Sequence, residues 1–198
     1  MARHHDLPIS HMFRKYKVKA FNSSSLKPGD RVLVFCCGTG LDFSHILKRI
    51  GDTGTITGID FSEEMLDIAR KRIQKRQWAN VELIHGDVTR YENSTGHLFD
   101  AGVCTLGLSI IPDYIKAYEN LVAAVKEGGE VIIGDMQLAS HKFARFNPLT
   151  ILLAKRYGGS ETGHRNSLAI RDRMKQELRD LRNEEFFLGS YFYCLGRK

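Results

Sequence analysis

The sequence predicts a doubly wound α/β fold: a mostly parallel sheet of seven strands whose last two form an antiparallel hairpin. Three observations carry this expectation. Apolar runs of strand length alternate with helix-period segments from Arg31 to Asp135, the turn Gly38-Thr39-Gly40 follows the first run, and Asp60 closes the second. Alternating strands and helices pack as a parallel sheet with right-handed crossovers. In such sheets a ligand sits at the carboxyl ends of the strands, where the strand order reverses.

The elements follow in order. A basic segment from about Ile9 to Phe21 reads as a helix, and Asn22 to Asp30 supply loop residues. Arg31 to Cys36 is short and continuously apolar after its first residue, the mark of a strand buried on both faces. Leu41 to Ile50 returns to helical spacing and stops at Gly51. Thr55 to Asp60 reads as the second strand, followed by a helix from Glu63 to about Arg76 capped by Ser62. Strands three and four are expected at Val81–His85 and Phe99 to about Leu106, then a helix from Pro112-Asp113 to Val125 that Glu127-Gly128-Gly129 ends. Glu130 to Asp135 gives strand five. Beyond it lie a basic helical stretch from about Lys142 to Tyr157, a Gly158-Gly159 break, a helix from about Leu168 to Leu181, and two aromatic-rich runs about Gly189-Ser190 that predict the hairpin.

Composition bounds the function. The 198 residues, 42% hydrophobic and 26% charged, fit one globular domain. Within it we expect an N-terminal helical segment (1–28), a cofactor-binding core (29–137), and a helical insertion with the closing hairpin (138–198). No apolar run approaches the roughly 20 residues of a membrane span, and the N-terminus lacks the features of a secretory signal, so a cytoplasmic address is expected. The four cysteines show neither a disulfide framework nor paired metal-ligand spacing, so no metal site is expected. The net charge of +6 is uneven. Residues 1–21 hold five Lys/Arg against one acid, 22–140 hold 12 against 16, and 141–198 hold 12 against six. Solvated faces account for most such runs; the functional alternative is contact of the basic ends with an anionic lipid surface or nucleic acid.

The turn Cys36-Cys37-Gly38-Thr39-Gly40 falls in the binding crevice. A dinucleotide fingerprint from Gly38 would need a third glycine where Phe43 stands, so an adenosine cofactor without pyrophosphate fits better. Asp60 is placed to accept from both ribose hydroxyls. Gly86-Asp87-Val88 offers a carboxylate and an amide at the height of an adenine, with Val88, Phe61 and Met65 to pack on the purine. For Asp87 a helix N-cap is the plain alternative.

These residues resemble the class I S-adenosylmethionine-dependent methyltransferases. The resemblance rests on Val32 to Gly40, the segment Gly58 to Leu66 with its acid Asp60, Gly86-Asp87-Val88, and Phe99-Asp100 leading strand four, and it spans Arg31 to Asp135. Leu108 to Tyr114 and Glu185 to Tyr193 are similar to bacterial phospholipid N-methyltransferases and quinone-biosynthesis C-methyltransferases. The resemblance implies a Rossmann-like methyltransferase that binds S-adenosylmethionine and acts on a phospholipid amine, a quinone precursor or a similar small acceptor, with peripheral membrane contact as one consequence. It also implies that the segment Cys104-Thr105-Leu106-Gly107 supplies backbone carbonyls near the methionine ammonium. Val34 stands where the family has an acid in its first motif, and Cys36 where it has a glycine, which motivates a second reading, a binder of the same cofactor without turnover. RNA methylation is a third; the segment after strand four lacks an Asn/Asp-Pro-Pro-aromatic motif, so nucleic acid is not the expected partner. Methyl transfer from a sulfonium relies on alignment, and no catalytic base is assigned. Tyr16 is a candidate lid residue, with packing on the core as the plainer role.

Overall fold

The computed structural model describes residues 6–93, 96–138, 147, 161–186 and 189–198, with side chains described from Phe13 onward in the first helix. Helix α1 (Asp6–Ser23) leads into β1 (Arg31–Phe35), α2 (Phe43–Ile50), β2 (Thr55–Asp60), α3 (Glu63–Arg76) and β3 (Val81–His85). Then come β4 (Phe99–Thr105), α4 (Tyr114–Ala124), β5 (Val125–Met136), α5 (Glu161–Glu177), β6 (Arg179–Phe186) and β7 (Tyr191–Arg197). The seven strands form one sheet in the order β3-β2-β1-β4-β5-β7-β6. β1 to β5 run parallel, β7 pairs antiparallel with β5, and β6 antiparallel with β7. This is the expected doubly wound sheet with its closing hairpin. Because β2 and β4 flank β1 on opposite sides, the strand order reverses at β1, and a crevice opens there above the strand ends.

Strand β1 shows why a short apolar run suffices. Val32 to Phe35 are all buried, with side chains alternating between two cores. Leu33 and Phe35 pack with Tyr118 and Leu121 of α4 and Ile170 of α5, whereas Val32 and Val34 pack with Phe21 of α1 and Phe43, Ile46 and Ile50 of α2. Each fully buried Leu, Ile or Phe contributes about 2 kcal/mol, so β1 is fixed by both layers and its carboxyl end is a firm platform. Helix α3 starts where Ser62 accepts from the Met65 amide at 3.4 Å, with Glu63 and Glu64 in its positive first turn.

Three details differ from expectation. The Glu127-Gly128-Gly129 segment does not separate helix from strand. β5 already begins at Val125, opposite Phe99, and the extra residues bulge before Ala101 meets Glu130. The second C-terminal helix begins at Glu161 and ends at Glu177, and Arg179 to Leu181 belong to β6. The charge-rich sequence hid this strand because it is the sheet edge, where one side of the ladder and much of each side chain face water. The helix expected at Lys142–Tyr157, apart from the helical Asn147, the Gly158-Gly159 break and the pair Phe187-Leu188 lie outside the described residues.

Candidate cofactor site

Asp60, the last residue of β2, joins the two turns beside it. Its Oδ2 accepts from the Gly38 amide at 2.7 Å and its Oδ1 from the Ser62 amide at 2.9 Å. Its carbonyl accepts from the Gly86 amide at 3.0 Å. A carboxylate has about four acceptor sites, so two bonds fix its orientation and leave capacity toward the crevice. Gly38 adopts φ +54°, and a Cβ there would meet nothing within 4 Å. The turn backbone therefore faces open space, as a cradle for a ligand requires.

A cavity of about 440 Å³ opens beside this turn. Cys36, Asp60 and Phe61 line it from β1 and β2, Gly86 to Thr89 from the end of β3, and Gly107 with Ile110 to Asp113 from the segment after β4. Phe61 presents a ring 75% exposed and Ile110 is 59% exposed, so the cavity offers apolar surface beside its carboxylates. Asp87 accepts from the Thr89 hydroxyl at 2.8 Å and amide at 2.9 Å, which hold its carboxyl below its ordinary range. Gly107 lies so close to Cys36 that a Cβ on it would meet the Cys36 Cβ and stand 2.9 Å from its Sγ. Only a glycine lets the β4 loop close against the β1 turn.

A second polar group stands at the ends of β1 and β4. Lys17 of α1 pairs with Asp42 at 3.0 Å and donates to the Thr105 hydroxyl at 2.9 Å, while that hydroxyl donates to Asp42. The Lys17 and Asp42 side chains are 11% and 10% exposed. Asp42 precedes α2 but makes no capping bond to it; its carboxylate turns to Lys17 instead. Nearby, Asp135 on β5 is buried and accepts from the Ser109 amide and hydroxyl and the Met136 amide. Burial nonetheless pushes its carboxyl up to about 6.

Of the residues singled out from sequence, Cys36, Asp60, Phe61, Gly86, Asp87 and Val88 meet in the cavity. Gly38, Thr39 and Gly40 form the adjoining turn, and Met65 sits half-buried in the first turn of α3. Cys104 is buried in β4, Thr105 belongs to the Lys17–Asp42 group, and Leu106 takes φ +57° with its amide bonded to the Gly134 carbonyl. Tyr16 stacks on Phe186 with ring centroids 4.4 Å apart, the packing role. The Cys37 thiol is pushed far up by burial, with Asp60 adding to it, which keeps it protonated and unreactive. Gly107, expected with Cys104 to Leu106, also lines the cavity, whereas sequence reasoning missed Thr89 and Ile110 to Asp113 as lining. It also missed Lys17 and Asp42, whose only trace is an acid two residues beyond the glycine turn. Among the described residues no helix is long and apolar enough to cross a membrane.

A sequence model of the ubiE/COQ5 methyltransferase family matches residues 6–145. The demethylmenaquinone methyltransferase of Bacillus cereus (strain ATCC 10987 / NRS 248) is 31% identical over 121 residues, 60% of this chain and 50% of that protein. That of Bacillus mycoides (strain KBAB4) is 32% identical over 121 residues with the same shares. The chain thus spans about half the length of the curated relatives it matches. In fold it is similar to a SAM dependent methyltransferase from Aquifex aeolicus, with TM-score 0.70, 17% identity, and 98% of this chain and 95% of that one covered. It is also similar to the Haemonchus contortus phosphoethanolamine N-methyltransferase 2 solved with S-adenosyl-L-methionine, with TM-score 0.69, 16% identity, and 93% and 52% covered.

Proposed function

The chain belongs to the ubiE/COQ5 methyltransferase family, and from that premise we propose that it is an S-adenosylmethionine-dependent methyltransferase acting on a quinone precursor of the demethylmenaquinone type. The observation that carries the cofactor part of this reading is Asp60, held by two amides at the edge of an open cavity of about 440 Å³; the acceptor follows the similarity to demethylmenaquinone methyltransferases. The residues present fit a nucleoside. Asp60 accepts from ribose hydroxyls, Phe61, Val88 and Ile111 flank a purine, and the open space above Gly38 receives the part that approaches the backbone.

The cofactor, when bound, supplies a methyl group on a sulfonium, a donor that needs alignment more than proton transfer. The chain's part is therefore positional. At the other end of the cleft, Val34 is packed among Val32, Phe43 and Ile46, where a carboxylate would be buried in hydrocarbon. We assign its expected task to Asp42, which offers a carboxylate for an ammonium, while Lys17 offers an ammonium for a carboxylate and Thr105 orients both. The Cys36 position keeps its left-handed backbone, φ 52°, with a thiol small enough to line the cavity.

Methyl-labelled S-adenosylmethionine, incubated with the protein and either demethylmenaquinone or phosphatidylethanolamine, tests the proposal. Label in the quinone pool is expected. Label in the lipid alone would move the acceptor to the phospholipid amines, and tight cofactor binding without label in either pool would favour the non-catalytic binder.

A further inference from the structure

A second cavity, of about 310 Å³, lies between α1, the start of α2 and the later turns of α3, and shares no lining residue with the first. Arg14, Lys17, Arg72 and Arg76 enter it with a single carboxylate, Asp42, and with His45 and Trp78. Two of the four cations are engaged: Lys17 with Asp42 and Thr105, and Arg72 with the Thr39 carbonyl and hydroxyl. Arg14 and Arg76 form no ion pair with a described residue. Asp42 offsets one of the four positive charges, so the cavity carries a net positive charge that attracts an anion.

His45 senses this excess from inside. Burial lowers its imidazole below the ordinary value, and Arg14, Lys48 and Lys17 lower it further against the opposing pull of Asp42. The site also lies at the positive end of α2, whose dipole is uncapped by Asp42.

We propose that this cavity binds a phosphoryl group, gripped by Arg14 and Arg76, with Trp78 against the group it is esterified to. Guanidinium forks match phosphate oxygens in pairs, and several donors around one void suit a multiply charged anion better than a lone carboxylate. The ligand is a phosphate ester or diphosphate, either free or as the headgroup of a phospholipid. The cavity shares Lys17 and Asp42 with the group assigned to the methionine end of the cofactor, whereas Arg14 and Arg76 have no part in that assignment and line only this cavity, so the test is made on them.

Trp78 is the chain's one tryptophan, so its emission reads the site directly. The full chain is titrated with inorganic pyrophosphate, and separately with vesicles of phosphatidylcholine with or without phosphatidylglycerol, following Trp78 emission and the His45 titration. Binding is expected to shift the emission and raise the His45 midpoint, and the R14Q/R76Q double variant is expected to bind at least about tenfold more weakly. Its affinity for S-adenosylhomocysteine, unchanged, shows that the fold is intact. A response to pyrophosphate identifies a free phosphoryl ligand, and a response only to the anionic vesicles identifies a headgroup. No response to either, or a folded double variant that responds like the parent, overturns the proposal.

Discussion

At the β2 end of the cleft, Asp60 is fixed by backbone amides only two and 22 residues away, whereas at the β4 end the contacts run between side chains, with Lys17 reaching Thr105 across 88 residues. The first arrangement is built into the turns and needs only an acid at the end of β2. The second requires α1 to be docked, and its three members hold one another. The comparison separates a site preorganised by backbone from one assembled by side chains, and the two should respond differently to substitution.

The largest difference is expected from Asp60→Ala. It removes a charged acceptor for two hydroxyls, each bond worth about 2 kcal/mol, and affinity should fall on the order of a thousandfold. Calorimetry should show the same loss for adenosine as for S-adenosylhomocysteine; a loss confined to the longer ligand would place Asp60 at the wrong end.

Next is the pH response of the β4 end. The Asp135 carboxyl is raised from an ordinary 3.8 to about 6, so the unfolded chain ionises first as pH rises. The contribution of this one group to stability is then full below about pH 4 and is lost, by about 3 kcal/mol, as pH climbs to about 6. Urea unfolding of Asp135→Asn should lack that decline, and parallel curves for parent and variant would show that the buried carboxylate does not titrate this way.

Gly107→Ala tests where the two ends touch. Its Cβ would collide with Cys36, and such overpacking costs about 2 kcal/mol, read as a lower urea midpoint with an unchanged slope. A neutral result would mean that the β4 loop can retreat from the turn.

The smallest effect is expected from Lys17→Met, which keeps the length of the chain and removes the ammonium. S-adenosylhomocysteine should bind roughly tenfold more weakly and adenosine as before. Equal losses for both would abolish the distinction between the ends.

The same division governs what was legible in the sequence. Strand alternation, the glycine turn, the Ser62 cap and Asp60 are local patterns, each set by a few consecutive residues, and all stand where expected. Asp42 and Lys17 were invisible because nothing in a single sequence says that α1 lies over the end of β4. The steric role of Gly107 was hidden for a related reason: it must be small against Cys36, which only the packed structure displays. The misplaced C-terminal helix arose where charged residues at β6 suit an exposed helix and an edge strand equally well.

That edge strand bears on how the protein behaves at high concentration. A row of unpaired amides and carbonyls invites another chain to add a strand, and β6 is the last in its sheet. Arg179, Asp180, Arg182, Glu184 and Glu185 place charges of both signs along it, and Lys19, Glu130 and Arg171 tie three of them back to the body of the protein. A second molecule would have to match that charge sequence in register before it could pair, so the edge that was hardest to recognise as a strand is also guarded against growing into an aggregate.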